Sequence, residues 1–323
     1  MRAAVLHEPG QAPVLGTHPE PLWVQGTSVI AVTAAPIVPL DLLCASGRSY
    51  FGRPAVPYVP GVQGVGVVEE SESLPHGTRV WFATTAGMAP GDGSLAERCV
   101  VPDVDVVPVI ADVPDAALAA IGLSGVAAWM ALTWRAGLRP GERVLVLGAG
   151  GAVGQAGIGI ARVLGAGRVV AVCRSEEARE RAQRAGADAV VPLEGDVDSL
   201  TARIQDACNG SVDVVLDPVF GVAATAASRV LAEHGRLVNL GGASGDVAEF
   251  SSAVLRSRTA SVLGYTNNAI TPEQRREALT ALAEHAAAGR LGVAYEEVPL
   301  SSVQDAWQRQ TGEGAGVRLV LTP

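Results

Sequence analysis

Cysteine is scarce in this chain, and charge is nowhere gathered into runs. The four cysteines, Cys44, Cys99, Cys173 and Cys208, form no CxxC pair and no dense framework. That speaks against a disulfide scaffold and a four-cysteine zinc lobe, and it fits a reducing cytoplasm. Lys+Arg totals 24 against 33 Asp+Glu, a formal charge of −9 with neither sign concentrated in a stripe. Nucleic acid and anionic membrane are therefore poor partners. No apolar run reaches membrane-spanning length without Gly, Pro or charge, and the opening "MRAAVLHEPG" meets a Pro/Gly turn far short of a signal peptide's apolar core. The expectation is a cytoplasmic globular protein with neither partner. Apolar residues are plentiful: at 48% of 323 residues they suffice for two domains of ordinary size.

The chain changes texture once. Its first 110 residues or so are short β-branched runs between Gly and Pro ("SVIAVTAAPI", "GVGVVEE", "TRVWFATT", "DVVPVI"), the punctuation of a compact barrel-like β domain. From about Pro114 the Ala/Leu-rich "DAALAAIGLSGVAAWMALTWRAG" predicts one helix and a domain boundary. Strands then alternate with helices: "RVLVL", "RVVAV", "DAVV", "VDVVLD", "RLVNLG" and "SVLGY", the fourth followed by a helix expected over "AATAASRVLAEHG". This pattern predicts a doubly wound parallel sheet, an α/β fold with helices on both faces. The tail from Thr271 carries two helices and two strands, and its β character suggests a return to the first domain.

Directly after "RVLVL" come Gly148, Gly151 and Gly154, and a helix starts without a break. Glycines there allow a tight turn and a close approach of backbone to a pyrophosphate, while the free N–H groups of Ala152, Val153 and Gly154 and the helix dipole favour its charge. With a βαβ unit following, the loop reads as a dinucleotide site. In such folds a carboxylate at the end of the second strand accepts from the ribose 2′-hydroxyl of NAD. Here that end reads "VVAVCRSEE", with Cys173 in the acidic position and Arg174 and Ser175 behind it. A guanidinium and a hydroxyl suit a 2′-phosphate, so NADPH is favoured over NADH. Ser175 also reads as the N-cap of "SEEARERAQRAG", with Glu176 and Glu177 complementing the helix dipole.

End to end, the sequence resembles the medium-chain dehydrogenase/reductase superfamily, in its zinc-free quinone oxidoreductase branch. The resemblance is carried by "MRAAVLHEPG", "PYVPGVQGVGVV", "GSLAERCVVP", "GLRPGERVLVLGAGGAVG", "AGADAVV", "DVVLDPVFG" and "GRLVNLGGASG", in the family's order. It implies a GroES-like β-rich catalytic domain from residues 1–121 and 266–323 around a Rossmann domain, 122–265, of strand order 3-2-1-4-5-6. It also implies a nicotinamide contact at "LGGASG", with Gly241 and Gly242, and a homodimer paired through "SVLGYTNN". At the positions where zinc-dependent members carry ligands this chain has Val38, Val62 and Gln63, and its five histidines stand elsewhere; no metal is expected. The lysine and tyrosine that often hold the 2′-phosphate are replaced by Ala178 and Leu193.

Without a Lewis acid to lower an alcohol's pKa, the site suits acceptors already activated by conjugation. A quinone or an α,β-unsaturated carbonyl takes hydride from NADPH and then a proton from water or one hydroxyl. Candidates for the substrate slot are few. Asp41, in "VPLD", either orients substrate or its loop, or caps "LLCASG"; the family's asparagine and arginine nearby are Val38 and Ala45. Tyr50 either lines the pocket or is a structural aromatic. Trp129 either lines a cleft or belongs to the bridging helix, where Ala127 replaces the family's threonine. A tailoring enoyl or ketone reductase of a larger metabolite or acyl thioester shares every motif, and a catalytically lapsed, crystallin-like NADPH-binding protein is the third alternative.

Overall fold

The computed structural model describes residues 1–312 and 317–323 and divides into two compact units. Strands of the first unit are β1 (Arg2–Val5), β2 (Val14–Thr17), β3 (Thr27–Pro36), β4 (Gln63–Ser71), β5 (Arg79–Ala83), β6 (Arg98–Pro102) and β7 (Val106–Pro108). Those of the second are β8 (Arg143–Leu147), β9 (Arg168–Cys173), β10 (Ala189–Pro192), β11 (Val212–Asp217), β12 (Leu231–Asn239) and β13 (Ser261–Gly264). The chain then returns to the first unit with β14 (Tyr295–Pro299) and β15 (Arg318–Thr322).

The first unit is the GroES-like β domain. Its main sheet runs β14-β15-β3-β4-β5-β7, and the ten-residue β3 also pairs with β6. β1 and β2 form a separate antiparallel pair. Alternation along β3 turns Ile30 and Val32 into a core with Leu6, Phe82, Leu95 and Trp307. A short helix, α1 (Pro39–Ala45), leaves the end of β3.

In the second unit the six strands are parallel in the order β10-β9-β8-β11-β12-β13. Strands buried on both faces read as continuous apolar runs, as "VLVL" of β8 and "VVAV" of β9 do. The helices α3 (Ala152–Val163), α4 (Glu176–Arg184), α5 (Val197–Ala207) and α6 (Gly221–Ser228) follow successive strands. Gly157 lets α3 lie on the sheet, since a β-carbon there would come within 2.3 Å of Leu216 Cδ2. This is the doubly wound Rossmann arrangement, with its switch point between β8 and β11.

Three sequence expectations are corrected by local geometry. The bridging helix α2 (Asp115–Met130) is broken at Gly122 (φ 23°, ψ −128°) and ends in a π-helical turn, Ala131–Arg135. The apolar stretch 115–135 is long enough to cross a membrane, yet most of it is buried inside the protein. The helix expected over "AATAASRVLAEHG" stops at Ser228, because Val212 N–H takes the Val230 carbonyl at 2.9 Å and Leu231 opens β12, whose register then shifts around a left-handed His234 (φ 58°).

The third correction is the domain division. The boundary falls at 122/123, but residues 266–278 and 288–294 belong to the second unit, not to the catalytic one. Hydrogen bonds hold them there: Asn267 Nδ2 donates to the Leu123 carbonyl at 3.2 Å, and Ala294 N–H to Gln155 Oε1 at 2.9 Å.

Candidate dinucleotide site

β8 ends at Leu147, and the chain turns at Gly148 with φ at 58°. A β-carbon on Gly148 would stand 2.4 Å from Val219 Cγ1, and one on Gly154 would stand 2.4 Å from Ala149 Cα. The loop is thus folded tightly onto the first turn of α3. Gly151 differs. It is the exposed, extended N-cap of α3, and the nearest atom to its missing β-carbon is the Gly148 carbonyl oxygen at 3.5 Å. No side chain caps this helix among the described residues. The open space above Gly151 and the first N–H groups of α3, at Ala152, Val153 and Gly154, form a cradle that a side chain would narrow and an anion fits.

Two residues that sequence reasoning passed over brace this loop. Gln155 Nε2 and Arg181 Nε both donate to the Gly150 carbonyl, at 2.8 and 3.1 Å. The buried amide of Gln155 is committed on its other side to Ala294.

Next to β8, β9 finishes on buried Cys173. Burial pushes its thiol up to about 11, against weaker opposing effects of the Gly150 and Ala149 N–H groups and the charges of Arg181 and Arg179. A neutral sulfur therefore stands where an NAD enzyme presents a carboxylate. Arg174 is exposed, its Nη2 3.4 Å from Ser244 Oγ. Ser175 caps α4, its oxygen accepting the Ala178 N–H at 3.2 Å, and its hydroxyl also bonds Glu177. The Ser175 hydroxyl is thus partly engaged before any ligand arrives.

At the end of β11, Asp217 lies inside the protein. Its Oδ1 accepts the N–H groups of Val219 and Phe220 at 3.0 and 2.7 Å, and its Oδ2 accepts Asn239 Nδ2 at 3.2 Å. Burial raises the carboxyl above its ordinary range despite these bonds. Asn239 also donates to the Gly241 carbonyl at 2.8 Å. Gly241 is required by close approach, because its β-carbon would lie 2.7 Å from the Pro218 carbonyl oxygen; that of Gly242 would lie as far from Asp246 Oδ1. Asp217 and Asn239 are the organisers that sequence reasoning missed; a buried acid closing a core strand was the signal.

The substrate candidates are placed less uniformly. Asp41 is the third residue of α1, not its N-cap, which is Val38. Its oxygens accept the N–H groups of Val38 and Val62 at 2.8 and 2.9 Å, so it is 1% exposed and ties α1 to the start of β4. Tyr50 is 77% exposed, its ring 4.3 Å from that of Phe51. Trp129 is half-buried in the second unit, its carbonyl accepting Thr133 Oγ1 at 2.7 Å. Asp41 is thus internal and Tyr50 external within the same unit. At the family's zinc positions, Val38 and Val62 are buried and Gln63 Oε1 accepts the Trp81 indole N–H at 3.1 Å. Among the described residues no three His, Cys, Asp or Glu side chains gather as a metal site needs.

A parallel sheet of this order, with a glycine turn and an uncapped helix at its switch point, defines a dinucleotide-binding protein. Comparison with known proteins narrows the class. Residues 25–114 match the alcohol dehydrogenase GroES-like domain and residues 152–285 the zinc-binding dehydrogenase family. The chain is 27% identical to quinone oxidoreductase-like protein 2 homolog of Nematostella vectensis, over 88% of this chain and 78% of that one. It is 32% identical to part of a phenolphthiocerol/phthiocerol polyketide synthase of Mycobacterium tuberculosis, over 90% of this chain but only 13% of that one. The crystal structure of the quinone oxidoreductase from Thermus thermophilus, also described in complex with NADPH, superposes over all of both chains with a TM-score of 0.80 at 29% identity. The chain belongs to the medium-chain dehydrogenase/reductase superfamily, in its quinone oxidoreductase branch, a family of oxidoreductases.

Proposed function

We propose that this protein is a zinc-independent, NADPH-dependent reductase that delivers hydride to a quinone or an α,β-unsaturated carbonyl. The observation that carries the reading is the end of β9, where a buried neutral thiol replaces the ribose-binding carboxylate and Arg174 follows at the surface. Bound NADPH supplies the hydride. The chain's part is to hold and orient. Gly148, Gly151 and Gly154 with the N–H groups of α3 take the pyrophosphate, Arg174 and Ser175 the 2′-phosphate, and Gly241 and Gly242, fixed by Asn239 and Asp217, border the nicotinamide. Pinned from two sides at Gly150, the loop needs little reorganisation on binding, which favours affinity. Because Val38, Val62 and Gln63 offer no ligand set, the acceptor must be activated by its own conjugation.

The test is calorimetric titration of both cofactors into wild type, Arg174→Ala and Cys173→Asp. The expectation is that Arg174→Ala weakens NADPH by about ten- to a hundredfold and spares NADH, as loss of a charge-assisted hydrogen bond implies. Cys173→Asp should turn preference toward NADH by repelling the phosphate. Preference of the wild type for NADH would refute the assignment.

The similarity to a segment of a polyketide synthase favours a second reading, reduction of an enoyl thioester of a larger metabolite. Relative kcat/KM for simple quinones, simple enones and an enoyl thioester separates the two, and absence of NADPH oxidation with all three would point to lapsed catalysis. A cytoplasmic homodimer with a small-molecule substrate completes the proposal.

A further inference from the structure

All 24 basic side chains of this protein are arginine; it has no lysine. Any phosphate beyond the reach of backbone N–H groups must therefore be met by a guanidinium or a hydroxyl. Around the ribose end the arginines are unequally committed. Arg181 is bound to the Gly150 carbonyl at 3.1 Å, and Arg184, further along α4, pairs with Glu180 at 3.5 Å. Arg174 reaches Ser244 Oγ at 3.4 Å.

Arg179 is placed differently. It is half-buried, beside the Ala178 methyl that packs on Gly150, and its charge acts on the Cys173 thiol, which puts it at the ribose end. Its Nη2 is bound to the carboxylate of Glu176, one turn earlier on α4, while its Nε is buried with no hydrogen-bond partner among the described residues. A buried donor left unsatisfied costs free energy that a second acceptor would recover. Glu176 is largely exposed and holds Arg179 from the solvent side by an ion pair within one helix turn, an interaction weak enough to exchange. A phosphate offers three acceptor oxygens and more charge than a carboxylate.

We propose that Arg179 is a second residue reading the cofactor's 2′-phosphate, alongside Arg174, and that Glu176 occupies its guanidinium until the phosphate displaces it. The inference rests on the NADPH reading above and assigns to Arg179 the place left empty by Ala178 and Leu193. It involves no bond-making, only exchange of one anionic partner for another. Glu176 then sets affinity from the opposite direction, since it competes with the phosphate.

NADPH and NADH are titrated calorimetrically into wild type, Arg179→Ala, Arg179→Lys and Glu176→Gln, with a thermal melt of each to confirm folding. Arg179→Ala is expected to weaken NADPH by about ten- to a hundredfold while NADH stays within about twofold, and Arg179→Lys to restore part of the loss. Glu176→Gln is expected to tighten NADPH by about two- to fivefold without changing NADH. Equal weakening of both cofactors by Arg179→Ala would make the residue a packing element and overturn the proposal. Unchanged NADPH affinity in that variant, with the wild type still preferring NADPH, would remove Arg179 and leave the cofactor reading standing. A wild type that prefers NADH ends both. Weakened NADPH binding in Glu176→Gln would show the carboxylate to be a support, and would overturn its role as competitor.

Discussion

The methyl of Ala178 fills the space beside Gly150: a β-carbon added to Gly150 would lie 2.3 Å from it and 2.7 Å from the Ala178 Cα. Because the obstacle is helix backbone as well as side chain, it cannot swing aside. Gly150→Ala is expected to cost about 1–3 kcal/mol of stability, as overpacking does, and to weaken both cofactors by displacing the loop. Gly151→Ala meets only a carbonyl oxygen at 3.5 Å, so it should cost no more than about 1 kcal/mol, the loss of a glycine N-cap, and less than Gly150→Ala, while both affinities fall. Thermal melts and calorimetry on the two variants check this. A similar stability loss in both would show that Gly151 is structural and not the open position of the cradle.

Asp41 makes a prediction about pH. Burial raises its carboxyl from 3.8 to about 6, against the lowering effects of the Val38 and Val62 N–H groups and of the Arg318 charge. Between those values the folded protein keeps a proton that the unfolded chain has released. The group therefore adds stability as pH falls from about 6 to about 4, and that increment is lost as pH rises again, by up to roughly 1.4 kcal/mol per pH unit. Asp41→Asn lacks this response. Its deficit relative to wild type, measured by urea unfolding, should be larger at pH 4.5 than at pH 7. A deficit that shrinks on acidification would mean that the attraction of Arg318 outweighs burial.

Much of this was legible in the sequence for identifiable reasons. The strand "RVLVL" feeds a glycine turn and the start of α3 where backbone geometry alone puts them, and Ser175 is the cap its position implies. What was hidden depends on contacts distant in sequence. Gln155 looked like an ordinary helical residue until Ala294, far along the chain, proved to be its partner. The Ala/Leu-rich stretch reads as one helix, but it breaks at Gly122, where a β-carbon would fall 1.9 Å from Gln63 Oε1, so a distant strand residue leaves room only for glycine. The end of α6 was misplaced because Val230 and Leu231 have helical neighbours and a strand's hydrogen bonds. Arg179 was passed over because helix arginines are usually solvated, and only the structure shows its buried Nε.

Zinc content is the direct check on the metal assignment. Val38 and Val62 have no donor atoms in their side chains, and the Gln63 side-chain oxygen is occupied by the Trp81 indole N–H at 3.1 Å. Purified protein should carry well under one equivalent of zinc by elemental analysis and lose no NADPH-dependent activity in chelator. Stoichiometric zinc, or inactivation reversed by added zinc, would refute the assignment and reopen alcohol oxidation as the reaction.

The last prediction concerns assembly. β13 closes one side of the Rossmann sheet and pairs, among the described residues, with β12 alone. Only Ser261–Gly264 of the expected "SVLGYTNN" is strand: Tyr265 N–H makes the last ladder bond, to the Asn239 carbonyl at 2.9 Å, and beyond it Asn267 turns toward Leu123. Val262 is exposed there, and Trp134, also exposed, stands edge-on to Tyr265 with ring centroids 6.4 Å apart. Arg135 holds the strand's end, its Nε donating to the Gly264 carbonyl at 3.0 Å. An open strand edge flanked by apolar side chains is prone to pair with another chain, and a twofold pairing of two copies buries the same surface on each. We expect the protein to be a dimer by light scattering at micromolar concentration. Val262→Arg would bring two like charges close to the twofold axis, so it should halve the mass while changing the monomer's own packing little, because the side chain already faces solvent. A monomeric wild type, or a Val262→Arg variant that remains dimeric, would place the interface elsewhere or deny it.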